Sequence, residues 1–339
     1  MCIRDRLAAR AIGHILYDNH ELFEEFESTI TSLVADSSPI VRIGAISVCL
    51  PILNFDRDKA VKLFLAACNF NDALHRIGIL GSHNTNHFLG YALHSHFEDL
   101  APIILAMKCS SDPKLQMTGA QWVVSEWLRF GQFEDEVKGC VNGSAEQRKG
   151  AASMVAEFWS NVPDPVRRTS KKKRRTWLWD KLKWWDRHSA FDIAQKLFDD
   201  PEQGVGELIS RMLRQSEIFE SRWSYKLVER FMKSRSFSHS LDDLTSGLKD
   251  CPQGFVEHSR VLFAICERVN AIKKDPDLEM PPHSIAEHHL PELLLRLYHQ
   301  SAESKNQALN DRCLDAWDTL LRANFGNTHS QLGKLDVSS

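Results

Sequence analysis

The chain lacks any apolar run approaching the roughly 18 to 20 residues that a membrane-spanning helix needs, so no helical span is expected. It also lacks a C-x-x-C pair. Its eight cysteines (Cys2, Cys49, Cys68, Cys109, Cys140, Cys251, Cys266 and Cys313) are scattered, which argues against a zinc ribbon and a dense disulfide framework. A reduced thiol among apolar neighbours behaves as a small hydrophobe, and the expected compartment is the reducing cytoplasm. Glycine and proline are modest, at 16 and 12 of 339 residues, and no run of alternating strands stands out. No G-x-x-x-x-G-K-[ST] loop is present; Gly333-Lys334-Leu335 lacks the hydroxyl residue that would hold magnesium. No H-E-x-x-H helix, serine elbow or cysteine-histidine arrangement appears either.

What is present is a helical pattern. With 43% hydrophobic residues the chain can bury a sizeable core or several small ones in series. Leu22, Phe26, Ile30 and Leu33 form one apolar face, with Glu21, Glu24, Glu25 and Glu27 mostly off it. Val41, Ala45, Val48 and Ile52 form another, which Pro51 should end or kink. Asp56 and Asp58 lead into Val61, Leu65 and Cys68, and Pro113 opens a helix through Trp127 that ends near Gly131.

Three stretches resemble one another. Asp36-Ser37-Ser38-Pro39, Asp112-Pro113 and Asp199-Asp200-Pro201 each set an acidic-proline turn before an amphipathic segment. The pairs Gly44-Ala45, Gly119-Ala120 and Gly150-Ala151 fall at similar places in three expected helices, where small residues let neighbouring helices approach closely. A break follows at Asn161-Val162-Pro163-Asp164-Pro165. Helical pattern resumes at Ala190 and continues in segments around Leu208 to Leu213, Tyr225 to Met232, Val261 to Val269, Leu290 to Tyr298 and Cys313 to Leu321. The tail after Gly326 is polar.

At these residues the pattern resembles HEAT-like α-helical repeats, in which a first helix ends near an Asp-Pro turn and a second opens with Val-Arg and a small residue. Pro39-Ile40-Val41-Arg42 matches it well. Asp112-Pro113-Lys114-Leu115-Gln116 lacks the arginine, and the third turn has Gly206 in its place. In the C-terminal half, Phe231-Met232-Lys233-Ser234-Arg235-Ser236-Phe237, Leu293-Leu294-Leu295-Arg296-Leu297-Tyr298 and Cys313-Leu314-Asp315-Ala316-Trp317-Asp318 resemble the C-terminal helical region of large bacterial signal-transducing NTPases of the STAND class. Over residues 7 to 325 that resemblance implies repeats that sense a ligand, an upstream nucleotide-driven switch domain and a link to defence against phage. The opening Met1-Cys2-Ile3-Arg4-Asp5-Arg6 lacks the apolar centre of a secretory signal. It resembles a hexapeptide translated from sequencing adaptor, so the true protein is expected to extend further upstream.

The strongest local anomaly is basic and rich in tryptophan. Arg167, Arg168, Lys171, Lys172, Lys173, Arg174 and Arg175 precede Trp177, Trp179, Trp184 and Trp185. Residues 167 to 187 hold ten Lys or Arg against two Asp, a net of +8. Such a segment suits phosphates and unpaired bases; the plainer reading is a solvated linker followed by an amphipathic helix. His83, His87, His94 and His96 cluster, and the first two share a spacing of four that suits a metal. Their neighbours Gly81, Ser82, Asn84, Thr85 and Asn86 favour a loop or helix start with capping and surface histidines. His283, His288 and His289 give a weaker version. Glu136-Val137-Lys138 carries the E-x-K fragment of one nuclease class and reads as a helix-surface pair. Trp122, Trp127, Trp159 and Trp317 fall on apolar stripes and are expected in the core.

The sequence therefore predicts an all-α, irregular HEAT-like α-solenoid of stacked antiparallel helical pairs. The expected blocks are a non-native start at 1–6, helical residues 7–162, a basic connector at 163–189, helical residues 190–325 and a tail at 326–339. The expected function is non-catalytic: a protein-binding scaffold or ligand-sensing region of a larger signalling NTPase, with no cofactor and no metal. The alternative is a helical-repeat nucleic-acid-binding protein using the eleven residues from Arg167 to Trp185 named above.

Overall fold

The computed structural model describes residues 2–70, 72–161, 193–198, 200–214, 237–249, 259–273, 286–326 and 328–329. Among them there are helices and turns and no strand, and no described helix is long and apolar enough to cross a membrane. The all-α expectation therefore holds. The chain divides into two compact units, Met1–Ala151 and Ala152–Ser339.

The first unit begins with α1 (Cys2–Asp18). The first helical stripe expected from the sequence begins at Leu22; the structure places a helix ahead of it, over residues 2–18. Ala9, Ile12 and Leu16 form its narrow buried stripe. A 3-10 turn (His20–Leu22) leads into α2 (Phe23–Val34), then α3 (Pro39–Ile52), α4 (Arg57–Cys68), α5 (Ala73–Leu80) and α6 (His83–Ala92). The unit continues with α7 (Phe97–Lys108), α8 (Pro113–Phe130), α9 (Glu134–Val141) and α10 (Ala145–Asn161), inside which the unit boundary falls.

The helix starts follow from local chemistry. An N-cap oxygen takes a backbone N–H that has no partner within the helix. Asp56 accepts from Lys59 N at 2.9 Å, Asp72 from His75 N at 2.8 Å, Ser82 Oγ from Thr85 N at 3.2 Å and Asp112 from Leu115 N at 2.7 Å. Ser144 and Gln147 exchange bonds reciprocally, each taking the other's backbone N–H, a capping box. Gly131 ends α8 at φ 71°, a left-handed conformation suited to glycine. Of the three acidic-proline turns, Pro39 and Pro113 open their helices. Pro201 stands outside its helix, which begins at Gln203, while Asp200 folds back to accept from Glu202 N at 2.9 Å.

The first unit holds two successions of helices, with α5 set against α3, α4, α6 and α7. In one, α1 packs on α3 and α3 on α6. Asn84 Nδ2 of α6 donates to Ile43 O of α3 at 2.7 Å. Trp122 Nε1 of α8 donates to Asn86 Oδ1 of α6 at 2.8 Å, and α10 meets α8 where Gly150 faces Met117 O and Ala120. In the other, α2 meets α4 through the Lys59–Glu27 ion pair. The start of α4 meets the start of α7 through Arg57 and Asp58, and α7 meets α9 through Lys108–Glu136. Contacts between α3 and α4, α7 and α8, and α8 and α9 join the two successions. The core between them includes Ile46, Phe64, Phe88, Ile104 and Val123, and the Phe64 and Phe88 rings stack at 4.2 Å.

The described part of the second unit holds a short helical stretch, α11, at residues 193–198. It continues with α12 (Gln203–Ser210), a 3-10 turn (Arg211–Arg214), α13 (Phe237–Lys249), α14 (Ser259–Lys273), α15 (Ala286–Glu303) and α16 (Gln307–Arg322). Helix α13 packs against α12, the 3-10 turn and α15, and α14, α15 and α16 pack on one another. Asp242 Oδ1 reaches across 44 residues to accept from Ala286 N at 2.8 Å, tying α13 to the start of α15. The resembling segments Leu293–Tyr298 and Cys313–Asp318 lie within α15 and α16. Of Phe231–Phe237, all but Phe237 lies outside the described residues.

Candidate functional site

All eleven residues of the basic, tryptophan-rich candidate, from Arg167 to Trp185, lie outside the described residues. So does His283. The remaining sequence candidates divide clearly. In Glu136-Val137-Lys138, Glu136 pairs with Lys108 on α7, whereas Lys138 pairs with Asp135 at 3.1 Å and Glu134 at 4.0 Å on its own helix. The two side chains serve different contacts and do not converge. Trp317 is buried, Trp122 and Trp127 are half-buried, and the Trp159 side chain lies outside the described set.

The cysteine side chains follow their surroundings. Burial pushes the thiols of Cys68 and Cys140 up to about 12 and that of Cys313 to about 11, and it raises Cys49 and Cys266 as well. Thiols held protonated in this way are poor nucleophiles.

One polar cluster in the first unit centres on Arg42. Its Nε donates to Asp36 O at 2.5 Å and its Nη2 to Ala35 O at 3.1 Å, at the end of α2. Its Nη1 donates to Ala66 O at 3.1 Å and Asn69 O at 2.7 Å, at the end of α4. The guanidinium also lies 4.6 Å from the centre of the Phe70 ring. A fixed positive fork thus sits on the negative ends of two helices. Gln116, three residues after Pro113 as Arg42 is after Pro39, does something else: its Oε1 accepts from Ser144 Oγ at 2.7 Å. The α7 carbonyl of Lys108 is served by Gln147 Nε2 at 3.0 Å.

A second cluster orders a serine, a histidine and a carboxylate. Ser95 Oγ lies 3.0 Å from His96 Nδ1, and His96 Nε2 lies 2.9 Å from Asp58 Oδ1. In a nucleophile-base-carboxylate relay the carboxylate is buried and the hydroxyl is free to lose its proton to the base. Here the Asp58 side chain is 82% exposed. Ser95 Oγ already accepts from Arg57 Nη1 at 2.8 Å and lies 3.0 Å from Ala92 O, which competes for its proton. The geometry favours a clasp between the start of α4 and the start of α7. Sequence spacing gave no sign of it, because Arg57 and Asp58 lie 38 residues from their partners.

Glu126 on α8 was not anticipated either. It is only 3% exposed, and its Oε2 has no hydrogen-bond partner among the described residues. Burial pushes its carboxyl from 4.5 up to about 7, while Arg129 pulls modestly the other way. The folded state therefore retains a proton that the unfolded chain gives up, and stability falls as pH rises through that window. Between pH 5 and pH 8 the loss from this residue is expected to be about 2 kcal/mol, taking 1.36 kcal/mol per pKa unit and allowing for partial solvation. Glu126→Gln should flatten this pH dependence and leave the variant more stable at pH 8. Urea unfolding at both pH values measures it, and parallel curves for the two proteins would refute it.

The remaining concentration of chemistry is a row of rings on α6. His83, His87 and Tyr91 recur every fourth residue and so share one face, and all three are exposed. The His83 and His87 rings are 5.6 Å apart and 19° from parallel, and the Tyr91 ring stands 5.2 Å from His87 at 66°. Tyr17 of α1 lies close enough to Tyr91 for the second phenol to add to the burial that raises its own pKa. The other two histidines of the sequence cluster turn elsewhere: His94 stacks on Phe130 at 3.7 Å and His96 joins the clasp. Among the described residues no three metal-ligating side chains come together. No protein-family model, curated protein or solved structure matches the chain.

Proposed function

We propose that the chain is a non-catalytic binding scaffold of stacked helical pairs, and that it serves as the ligand-sensing region of a larger bacterial signalling NTPase of the STAND class. The observation that carries the scaffold reading is the pair of helix successions in the first unit. Within the rows, α2 is bonded to α4 by Lys59–Glu27, α3 to α6 by Asn84–Ile43 and α7 to α9 by Lys108–Glu136, and α1 packs on α3. Stacking of this kind extends a surface rather than closing a catalytic cleft. Arg42, at the best-matching HEAT-like turn, supports the same reading by joining the ends of α2 and α4. The signalling reading rests on the sequence resemblance alone. A protein ligand that prefers one curvature of the stack would bias an upstream switch by its differential affinity for the two states.

The coding sequence upstream in the source genome tests the signalling part directly. A phosphate-loop domain in the same frame is the expected result; an intact start near residue 7 would count strongly against it. The second reading, nucleic-acid binding, draws on the +8 charge of residues 167 to 187 and the four tryptophans among them. It would displace the first if the protein bound single-stranded DNA or RNA with strong salt dependence, and if neutralising Lys171 to Arg175 removed that binding.

A further inference from the structure

The row on α6 has the makings of a metal site. Residues four apart on a helix are about 6 Å apart along its axis, which lets two imidazoles close on one ion. Both rings here face solvent, lie nearly parallel at 5.6 Å and make no hydrogen bond or ion pair among the described residues. Tyr91 packs edge-on against His87 and restricts its ring. The backbone beneath is fixed by the Ser82 cap, with Thr85 Oγ1 donating to Ile79 O at 2.7 Å. The helix HNTNHFLGYA carries no lysine or arginine to repel a cation.

We propose that His83 and His87 form an open, exchangeable site for a divalent transition-metal ion of the zinc class. Imidazole suits zinc, copper and nickel, and carboxylate-preferring magnesium and calcium are excluded by the donor set. Two nitrogen ligands leave at least two positions of a tetrahedral ion unfilled. Water fills them in the free protein, and an oxygen or nitrogen ligand of a bound molecule replaces that water. His83 lies at the positive end of α6, which weakens the hold on a cation and makes the site exchangeable rather than structural. This inference goes beyond the scaffold reading and does not depend on it.

The test is titration of the full chain with zinc chloride at about pH 7, where imidazole is mostly neutral and zinc stays in solution, followed by calorimetry and by NMR of selectively labelled histidines. The expected result is that the His83 and His87 signals shift together at one zinc concentration. His83→Ala and His87→Ala should each weaken that event at least tenfold, while His75→Ala leaves it unchanged. The glutamine variants His83→Gln and His87→Gln keep a polar helix surface and should lose binding equally, which separates ligation from folding. The proposal is overturned if the calorimetric event at that zinc concentration survives both alanine substitutions, if the two signals respond at different zinc concentrations, or if neither responds at millimolar zinc.

Discussion

Gly119→Ala is expected to destabilise the first unit by at least about 3 kcal/mol, beyond the usual cost of overpacking a core. A Cβ at this position would stand 2.6 Å from both Lys108 Cα and the Met107 carbonyl carbon, and closer still to Lys108 N. These are backbone atoms, so no rotamer change relieves the collision. The end of α7 would have to move away from α8, pulling Lys108 from Glu136 and its carbonyl from Gln147. Alanine's intrinsic helix advantage over glycine, about 1 kcal/mol, acts in the opposite direction and is overwhelmed. Gly78→Ala is the control: that glycine is also helical, nothing lies within 4 Å of its added Cβ, and the change should stabilise by about 0.5 to 1 kcal/mol. Denaturant midpoints for the two variants should move in opposite directions, and similar shifts would disprove the close-approach explanation.

Arg42→Met should cost about 2 to 3 kcal/mol. The methionine retains much of the packing volume but donates no hydrogen bond to Ala35, Asp36, Ala66 or Asn69. Charge-assisted bonds contribute about 1.5 to 3 kcal/mol each when fully buried. Arg42 is half-buried, and water replaces part of what is lost. Arg42→Lys is the discriminating variant. A lysine presents one compact ammonium in place of a planar fork, so it can serve the end of α2 or that of α4 but not both. It should recover less than half of the loss in urea unfolding; full recovery would mean that charge alone, and not the fork, matters.

These two residues also show what is legible in sequence. The Gly-Ala pairs at 44, 119 and 150 look equivalent by position, and each was expected to permit close helix approach. The structure separates them. At Gly119 and Gly150 an added Cβ would collide with neighbouring backbone, with Ala120 Cβ also only 2.8 Å from a Cβ built on Gly150, whereas at Gly44 the nearest atom is Arg6 Cγ at 3.2 Å and the α1 backbone stands back at 3.5 Å. The His83 and His87 spacing is visible in sequence, but the Tyr91 edge contact and the nearness of Tyr17 depend on the packing of α1 and α6 in the folded unit. Helix α1 escapes notice because its buried stripe is narrow and includes small Ala9 beside Ile12 and Leu16.

By itself the sequence determined that the described chain is helical and where many helices begin and end. Asp56, Ser82, Asp112 and Gly131 act on backbone groups only three or four residues away, and such interactions are written locally. Tertiary structure decided that Arg42 joins two helix ends, that Glu136 answers Lys108 rather than Lys138, and that Glu126 is buried with no partner for one oxygen among the described residues. These outcomes depend on which helices lie side by side. The partners stand 24 to 28 residues apart along the chain, a separation at which no local spacing rule chooses one contact over another.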